Sequence, residues 1–303
     1  MRRLLLFLSR RRGVQRWLEN LPIARRVTAR FIAGRKLDDA LRLCERLNRG
    51  GVLVTLDHLG ENVTSLAEAE GSRDAYLEAL GRVAERGLRA TVSIKLTQFG
   101  LDLSESACRR NVDALAREAA RAGTSVEVDM ETIDHVDRTL RLVVEMHQSH
   151  GNMRGVIQAY LRRSEADLEM LCSRGVPVRL CKGAYSEPAA VAFPRKREVN
   201  ANFVRLMKIL FDRGVDPGFA THDHRMIAEA RRHARELGIP SDRYEFQMLY
   251  GIRRDLEKRL MRDGYRLRLY VPYGDAWYPY FMRRLAERPA NLFFLLRNLL
   301  LHP

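Results

Sequence analysis

The stretch Gly51–Glu61, GVLVTLDHLGE, decides between the two folds that the rest of the chain allows. Its apolar and β-branched residues up to Leu56 indicate a short buried strand. A doubly wound α/β sheet usually carries a glycine-rich phosphate-binding loop after its first strand. Here the strand runs into Asp57-His58-Leu59-Gly60-Glu61, and no GxGxxG pattern follows. The stretch therefore favours a closed α/β barrel over an open sheet.

Short apolar runs of this kind recur along the chain and alternate with stretches of helical period. The predicted strands are Gly51–Leu56, Thr91–Leu96, Thr124–Asp129, Gly155–Ala159, Pro177–Cys181, Gly218–Thr221, Tyr244–Gln247 and Leu267–Val271. The predicted helices are Ser65–Arg86, Glu105–Ala122, Thr132–His147, Glu165–Ser173, Val199–Arg213, Met226–Leu237 and Asp255–Arg262. This alternation is typical of a (β/α)8 TIM-type barrel. We predict that fold with extra N-terminal helices: residues 1–48 form a basic helical segment packed on a barrel domain of residues 49–303.

The composition limits the classes of protein to consider. With 303 residues, 46% hydrophobic and 30% charged, the chain is expected to be a soluble globular protein with a sizeable core. Its four cysteines show neither CxxC nor Cys/His spacing. We therefore predict buried free thiols in a reducing cytoplasm, and no disulfide framework or metal site.

A net charge of +15 would attract nucleic acid, anionic lipid or acidic ligands. Residues 1–34 carry nine arginines against the lone Glu19. The apolar run Leu4–Leu8 is much shorter than the roughly 20 residues that span a bilayer, and no signal-peptide cleavage pattern follows it. Two interpretations stay open for this segment: an amphipathic segment lying on an anionic membrane surface, or a basic helix packed on the domain.

Polar residues follow the predicted strands at their carboxyl ends, where barrel enzymes carry their functional side chains. Placing such groups inside apolar strands costs desolvation unless they pair with one another or meet a ligand. The repetition at the same end of successive strands therefore indicates one site. Its candidate members are Lys95, Asp129, Gln158, Arg179, Lys182, Thr221, His222, Asp223, Gln247 and Tyr270.

The last predicted strand leads into a helix with a distinctive face. Pro272 and Gly274 are expected to end the strand, and Asp275 is expected to cap the helix. In that helix Tyr280, Arg283, Arg284 and Glu287 stand at i, i+3, i+4 and i+7, so they share one side. Paired guanidinium groups beside an aromatic ring suit a small carboxylate ligand. A solvated charged face with an intrahelical Arg–Glu pair is the alternative.

Together these motifs resemble the proline dehydrogenase family, in its short monofunctional bacterial form. The likeness runs from about Gly51 to Asn291 and is carried by VRLCKGAY (178–185), ATHDH (220–224), YEFQMLYG (244–251), RLYVPYG (268–274) and YPYFMRRLAERPAN (278–291). The resemblance implies FAD-dependent oxidation of L-proline to Δ1-pyrroline-5-carboxylate, with electrons passed on to a membrane quinone. The chain departs from the family pattern at Pro194 and Asp223.

The resemblance also implies roles for individual residues. Arg283 and Arg284 would clamp the carboxylate of proline, Lys95 would pair with it and with Glu287, and the ring would be walled by Leu249, Tyr270 and Tyr280. Asp129 would lie near the substrate nitrogen, and whether it acts as a base or as an anchor for Lys95 stays open. Arg179 would lie by the reactive nitrogen of the flavin. The remaining cofactor contacts would come from Gln158, Lys182, Gly183, Ala184, Tyr185, Arg195, Lys196, Thr221, His222, Asp223, Gln247 and Leu249.

The reaction that the resemblance implies requires a particular protonation state of the substrate amine. Hydride loss from the carbon beside nitrogen needs the lone pair of the amine, so the amine must react unprotonated. A site crowded with Lys95, Arg179, Arg283 and Arg284 disfavours an ammonium group and so favours proton loss on binding.

Partners and alternatives follow from the same resemblance. The chain ends at Pro303, so we expect a separate pyrroline-5-carboxylate dehydrogenase for the second step of proline oxidation. Because the electrons are expected to pass to a membrane quinone, the basic residues 1–34 suggest a peripheral location on the inner face of the cell membrane. One alternative is another flavin-dependent barrel oxidoreductase of the methylenetetrahydrofolate reductase type, although the closely spaced Tyr270, Tyr280, Arg283 and Arg284 favour a small amino acid over a pterin. The other is a nucleic-acid-binding protein. Two observations disfavour it: the sequence has no recognisable binding module, and its basic residues are spread along helices.

Overall fold

Eight parallel strands close into a barrel in a computed structural model of the chain, which describes residues 28–60 and 63–287, with side chains through Met282. Each strand pairs with the next, and the last pairs with the first. The strands are β1 (Leu53–His58), β2 (Ala90–Ile94), β3 (Val126–Val128), β4 (Met153–Gln158), β5 (Val178–Cys181), β6 (Gly218–Ala220), β7 (Glu245–Leu249) and β8 (Arg266–Tyr273). The predicted (β/α)8 barrel is confirmed.

Helices connect the strands on the outside of the barrel. They are α1 (Leu37–Arg49), α2 (Leu66–Glu85), α3 (Glu105–Arg121), α4 (Val136–His150), α5 (Ser164–Ser173), α6 (Lys196–Arg213), α7 (His224–Glu236), α8 (Arg254–Arg262) and α9 (Trp277–Glu287). Local sequence sets several of their ends. The side chains of Ser65 and Ser104 accept hydrogen bonds from the first turns of α2 and α3, which satisfies amides that lack a helical partner. Gly151 ends α4 in the left-handed region, with φ of 73°.

Two details around the last strand differ from the prediction. Pro272 does not end β8, which continues to Tyr273. Beyond Tyr270 the strand pairs with β1 and no longer with β7, so the proline stands where one side needs no ladder hydrogen bond. Asp275 does not cap α9, because the helix begins at Trp277 and the Asp275 carboxylate binds Arg35 at 2.6 Å.

A network of arginine and glutamate side chains fills part of the barrel interior, where apolar side chains usually dominate. Glu127 and Glu245 are fully buried there together with Arg154 and Arg268. Arg268 donates to both carboxylate oxygens of Glu245 at 2.8 and 3.1 Å, and Arg154 lies 3.9 Å from the same carboxylate. Buried charges persist when each meets an opposite charge and hydrogen bonds, as these do. The network forms the floor beneath the strand ends.

The segment Thr28–Arg35, called here the N-terminal strap, runs beside the end of β8 and packs against α9. Its Ala33 amide donates to Pro272 O at 3.0 Å, and Gly274 N donates back to Gly34 O at 3.1 Å. Apolar side chains of the strap pack with α9 in a cluster separate from the main core, formed by Phe31, Ile32, Leu59, Ile252, Trp277, Tyr278, Tyr280, Phe281 and Met282. The strap thus ties the chain ahead of the barrel to its last helix.

The predicted N-terminal unit is described in part. Helix α1 buries Ala40, Leu41 and Cys44 in the same core as the strands. Residues 1–27, with most of the arginine excess, lie outside the described residues, so the division at residue 48 and the membrane-surface interpretation stay predictions. Among the described residues, no helix has both the length and the hydropathy needed to cross a bilayer.

All four cysteines are free thiols, as predicted. Cys44 and Cys108 are buried, and burial raises the pKa of each thiol to about 12. The prediction was wrong in one respect, because Cys172 and Cys181 are half-buried.

Candidate active site

Four of the predicted site residues meet above the barrel interior, Lys95 and Asp129 directly after β2 and β3, and Arg179 and Tyr270 from within β5 and β8. Asp129 is at their centre. Its Oδ1 accepts from Arg179 Nη2 at 3.0 Å, and its Oδ2 accepts from the Tyr270 hydroxyl at 2.8 Å and from Lys95 Nζ at 3.4 Å. The barrel stagger brings together side chains that are up to 175 residues apart in sequence, from Lys95 to Tyr270. The structure therefore joins these four in one cluster.

The protonation state of Asp129 follows from this surrounding. Burial by itself would raise the pKa of the carboxyl, but the charges of Arg179 and Lys95 and the Tyr270 hydrogen bond hold it below its usual value. Both carboxylate oxygens are also engaged. These contacts favour the interpretation of Asp129 as an ionised anchor for its three partners over a role as proton acceptor.

Arg179 is held at one end of its guanidinium. Its Nη2 donates to Ser93 Oγ at 2.9 Å and to Asp129, and it lies 3.3 Å from Glu127 Oε2. Its Cζ stands 5.5 Å from the centre of the Tyr270 ring. Burial would lower the pKa of Arg179, but Glu127 and Asp129 raise it above the ordinary value, so the side chain stays charged. Its Nε is buried with no hydrogen-bond partner among the described residues.

Two carboxylates of this cluster were missed by sequence reasoning. Asp57, 2% exposed at the end of β1, lies 3.7 Å from Lys95 Nζ. Glu127 stands two residues before Asp129, which puts it on the same inward face of β3. The strand-end rule would have found Asp57, and the alternation of β3 would have found Glu127. Both carboxylates reduce the excess of positive charge on which the expected loss of the substrate proton depended.

The loop after β5 is tied to the end of β6 through Lys182. Its Nζ donates to Asn200 Oδ1 at 2.6 Å and to Asp223 Oδ2 at 2.7 Å. Gly183 follows with φ of 99°, and a Cβ there would overlap the ring of Tyr160. Asn200, in the first turns of α6, was missed by sequence reasoning. The loop therefore holds a fixed backbone path close to an aromatic ring, which requires glycine.

The turn after β6 is ordered by three consecutive predicted residues. Asp223 caps α7 by accepting from Arg225 N at 3.0 Å, and its own amide donates to Thr221 Oγ1 at 3.1 Å. His222 Nε2 accepts from Leu249 N at 2.9 Å, which places the proton of the neutral ring on Nδ1. These contacts bring the ends of β6 and β7 together.

Other predicted cofactor residues lie around this centre in different settings. Gln158 donates to Met130 O at 2.9 Å, and its Oε1 is buried with no hydrogen-bond partner among the described residues. Gln247 turns its amide toward Glu245 Oε1, at 2.7 Å, in the barrel interior. The last four are more exposed, in the loop after β5 or at the start of α6: Ala184, Tyr185, Arg195 and Lys196.

The predicted substrate face lies on α9. Tyr280 is 7% exposed and belongs to the apolar cluster of the N-terminal strap, against which Leu249 packs. Helix α9 includes Arg283, Arg284 and Glu287, whose side chains lie outside the described part of the chain. Their shared face with Tyr280 stays a prediction.

A family model described as proline dehydrogenase matches residues 40–297, which include every strand of the barrel and α9. The chain belongs to the proline dehydrogenase family. It is 40% identical over 300 residues to proline dehydrogenase 1 of Bacillus subtilis (strain 168), with 99% of both chains covered. It is 39% identical over 278 residues to the proline dehydrogenase of Deinococcus radiodurans, with 89% of both chains covered.

Solved structures of larger proteins contain the same fold. A crystal structure of proline utilization A (PutA) from Bdellovibrio bacteriovorus, inactivated by N-propargylglycine, superposes with a TM-score of 0.81 at 28% identity. The match covers 87% of this chain and 33% of that one. The barrel of this proline dehydrogenase family member therefore corresponds to about a third of the longer protein.

Proposed function

We propose that this chain oxidises L-proline to Δ1-pyrroline-5-carboxylate, with FAD as the immediate hydride acceptor and a membrane quinone as the next electron acceptor. The observation that carries the proposal is the Asp129 cluster with Lys95, Arg179 and Tyr270 at the mouth of a barrel that belongs to the proline dehydrogenase family. Charged groups at this end of a barrel are where catalysis takes place.

The residues at the barrel mouth fit a flavin. Arg179 Nε and Gln158 Oε1 are buried polar atoms without described partners, one a donor and one an acceptor, which is the pairing that the polar edge of an isoalloxazine ring needs. Gly183 leaves its backbone open to close approach. Lys182, fixed by Asn200 and Asp223, supplies a positive charge on the side where the phosphates would lie.

The cofactor would be held by residues from four consecutive strands, β4 to β7, and the loops that follow them. When bound, FAD supplies the acceptor for the hydride that leaves the carbon beside the proline nitrogen. We assign its binding to Gln158, Arg179, Lys182, Gly183, Ala184, Tyr185, Arg195, Lys196, Thr221, His222, Asp223 and Leu249. Gln247 is left out, because its amide donates to Glu245 in the barrel interior.

The substrate would lie between that layer and α9. Arg283 and Arg284 would bind the carboxylate of proline bidentately, with Lys95 as a third cation that also pairs with Glu287. Tyr270, Tyr280 and Leu249 would wall the ring. Such a clamp fixes the reacting carbon, so that binding energy is used for orientation.

The charged groups beneath the substrate would already be held in the arrangement that the reaction needs. Asp129 holds Lys95, Arg179 and the Tyr270 hydroxyl in one arrangement, and its low pKa argues against a role as the base. The amine proton would therefore leave to solvent. The guanidinium of Arg179 would stabilise the negative charge that develops beside it, since a fixed charge in a buried site costs no reorganisation.

The proposal also covers the electron acceptor and the location of the protein in the cell. We assign the basic residues of the segment 1–34 to docking on the anionic inner face of the cell membrane, where a quinone could be reached. A separate pyrroline-5-carboxylate dehydrogenase would take the product. A variant that starts at Thr28 tests the docking, since it should bind anionic liposomes more weakly than the full chain.

One spectrum tests the central chemistry. The purified protein should carry a flavin, and L-proline added without oxygen should bleach its visible absorption. Cyclopentanecarboxylate is the matched control, because it keeps the ring and the carboxylate but lacks the nitrogen lone pair, and it should bind without bleaching. Colourless protein, or flavin that L-proline leaves oxidised, would overturn the proposal.

A further inference from the structure

Glu127 is a completely buried carboxylate directly beneath Arg179. Two hydroxyl groups, of Thr55 and Thr91, donate to its Oε1 at 2.8 and 2.7 Å. Its Oε2 has no hydrogen-bond partner among the described residues and lies 3.3 Å from Arg179 Nη2. One oxygen is thus used to fix the side chain, and the other faces the guanidinium.

The charge of Glu127 has a different role from that of Asp129, the other carboxylate on Arg179. Asp129 divides its charge among Arg179, Lys95 and Tyr270. The threonine hydroxyls that bind Glu127 could donate equally well to the amide oxygen of a glutamine. Ionisation is therefore not needed for these two hydrogen bonds. What the carboxylate adds is a negative charge, which acts on Arg179 first and on Arg154 and Arg268 less strongly.

The electric field of a carboxylate buried this deeply acts on groups beyond its direct contacts. Glu127 is 0% exposed and Arg179 above it is 4% exposed, so the field between these two groups is weakly screened. The negative charge offsets part of the positive charge that Arg179 presents to the barrel mouth. A group above Arg179 that becomes more negative on reduction is stabilised by the guanidinium and destabilised by the carboxylate below it.

We infer that Glu127 is a positioning residue that sets the net charge Arg179 presents, and through it the reduction potential of the bound flavin. The inference rests on the proposed function, in which Arg179 lies beside the cofactor. Its action is electrostatic and passes through Arg179, since the side chain stands below the barrel mouth.

The test compares two buried carboxylates. Glu127→Gln keeps the shape and the threonine hydrogen bonds but removes the charge beside Arg179. Glu245→Gln is the matched control: Glu245 is also 0% exposed and also ion-paired, but with Arg268 and Arg154 on the barrel floor. The readout is the midpoint potential of the bound flavin, measured by equilibration with a reference dye.

We expect Glu127→Gln to favour the reduced flavin on the order of tenfold, which corresponds to an upward shift of about 30 mV for a two-electron couple. Glu245→Gln should shift the potential much less. A shift in Glu127→Gln no larger than that in Glu245→Gln would overturn the inference. Failure of L-proline to reduce the unmodified protein would instead contradict the proposed function, so the two failures are distinguishable.

A second variant decides the case in which Glu127→Gln does not fold. Glu127→Asp keeps the negative charge but withdraws it from Arg179 by one methylene. We expect a smaller upward shift of the flavin potential than for the glutamine variant. An unchanged potential in Glu127→Asp would overturn the inference.

Discussion

The Tyr270 hydroxyl donates a 2.8 Å hydrogen bond to Oδ2 of Asp129, joining the last strand of the barrel to the third. A hydrogen bond to an ionised group contributes about 1.5–3 kcal/mol to stability. We expect Tyr270→Phe to lower the free energy of unfolding by that amount. Asp129→Asn should cost about 3–5 kcal/mol, because it leaves the buried Arg179 with less compensating charge. Urea denaturation measures both, and an asparagine variant as stable as the phenylalanine one would contradict this account.

The buried Glu127 predicts a pH dependence of stability. Burial would raise the pKa of this carboxyl, but Arg179, Arg154, Arg268 and the Thr91 hydrogen bond lower it from the ordinary 4.5 to about 2. A depressed pKa in the folded state adds stability that is complete above pH about 4.5 and is lost as pH falls toward 2.

Comparison with Glu127→Gln isolates this contribution, because the glutamine does not titrate. The difference in unfolding free energy between the two proteins should be largest above pH about 4.5 and shrink toward pH 2. Denaturant titrations at a series of pH values measure it. A difference that stays constant across this range would show that Glu127 keeps an ordinary pKa.

Much of the site could be predicted because a barrel puts the carboxyl ends of its strands on one rim. Lys95, Asp129, Arg179 and Tyr270 are polar residues within or at the end of predicted apolar runs, and that local signal was enough to group them. The partners that fix them were harder to find. The sequence predicts a strand that ends at Leu56 and places Asp57 in the turn after it, whereas β1 continues to His58 and includes Asp57.

The contacts that could not be predicted from the sequence depend on the direction of side chains and on how helices and loops pack. Gln247 was predicted among the cofactor ligands from its place near a strand end, yet its amide turns toward Glu245, two residues earlier on the same face of β7. Asn200 meets Lys182 because α6 packs back over the loop after β5. Neither contact follows from spacing along the chain, since both depend on how the elements pack.

Gly183 provides a test of the loop after β5. Gly183→Ala should displace the loop, because its Cβ would overlap the Tyr160 ring in addition to the strain of a positive φ. We expect a loss of bound flavin, measured as flavin per protein after gel filtration. Gly51→Ala is the control, since Gly51 has φ of 82° and no atom within 4 Å of an added Cβ. It should cost about 1–2 kcal/mol of stability and leave flavin content unchanged. Equal flavin content in both variants would argue against this role for the loop.

The two arginines of α9 predict a specific kinetic signature. Arg283→Ala or Arg284→Ala should raise the KM for L-proline by a factor that corresponds to about 2–5 kcal/mol, because the substrate carboxylate loses a paired charge. Flavin content should not change. Arg259→Ala, on the exposed side of α8, removes the same charge away from the barrel mouth and should leave KM unaltered. Normal saturation by proline in either α9 variant would remove these residues from the clamp.

The N-terminal strap predicts an effect on substrate binding from outside the barrel. Gly251, with φ of 78°, lies so close to the strap that an added Cβ would overlap the carbonyl of Arg30. Gly251→Ala should therefore push the strap away, and with it Phe31, whose ring centre stands 6.1 Å from that of Phe281 on α9. Because α9 carries the proposed clamp, the KM for L-proline should rise while the flavin spectrum stays unchanged.

Gly264→Ala separates displacement of the strap from backbone strain. Gly264 has nearly the same φ, 77°, but nothing lies within 4 Å of an added Cβ, so this variant carries the strain alone. Both variants should lose about 1–2 kcal/mol of stability from the left-handed backbone. A rise in KM confined to Gly251→Ala would show that the strap holds α9 in place. Equal KM values in the two variants would show that α9 keeps its position without it.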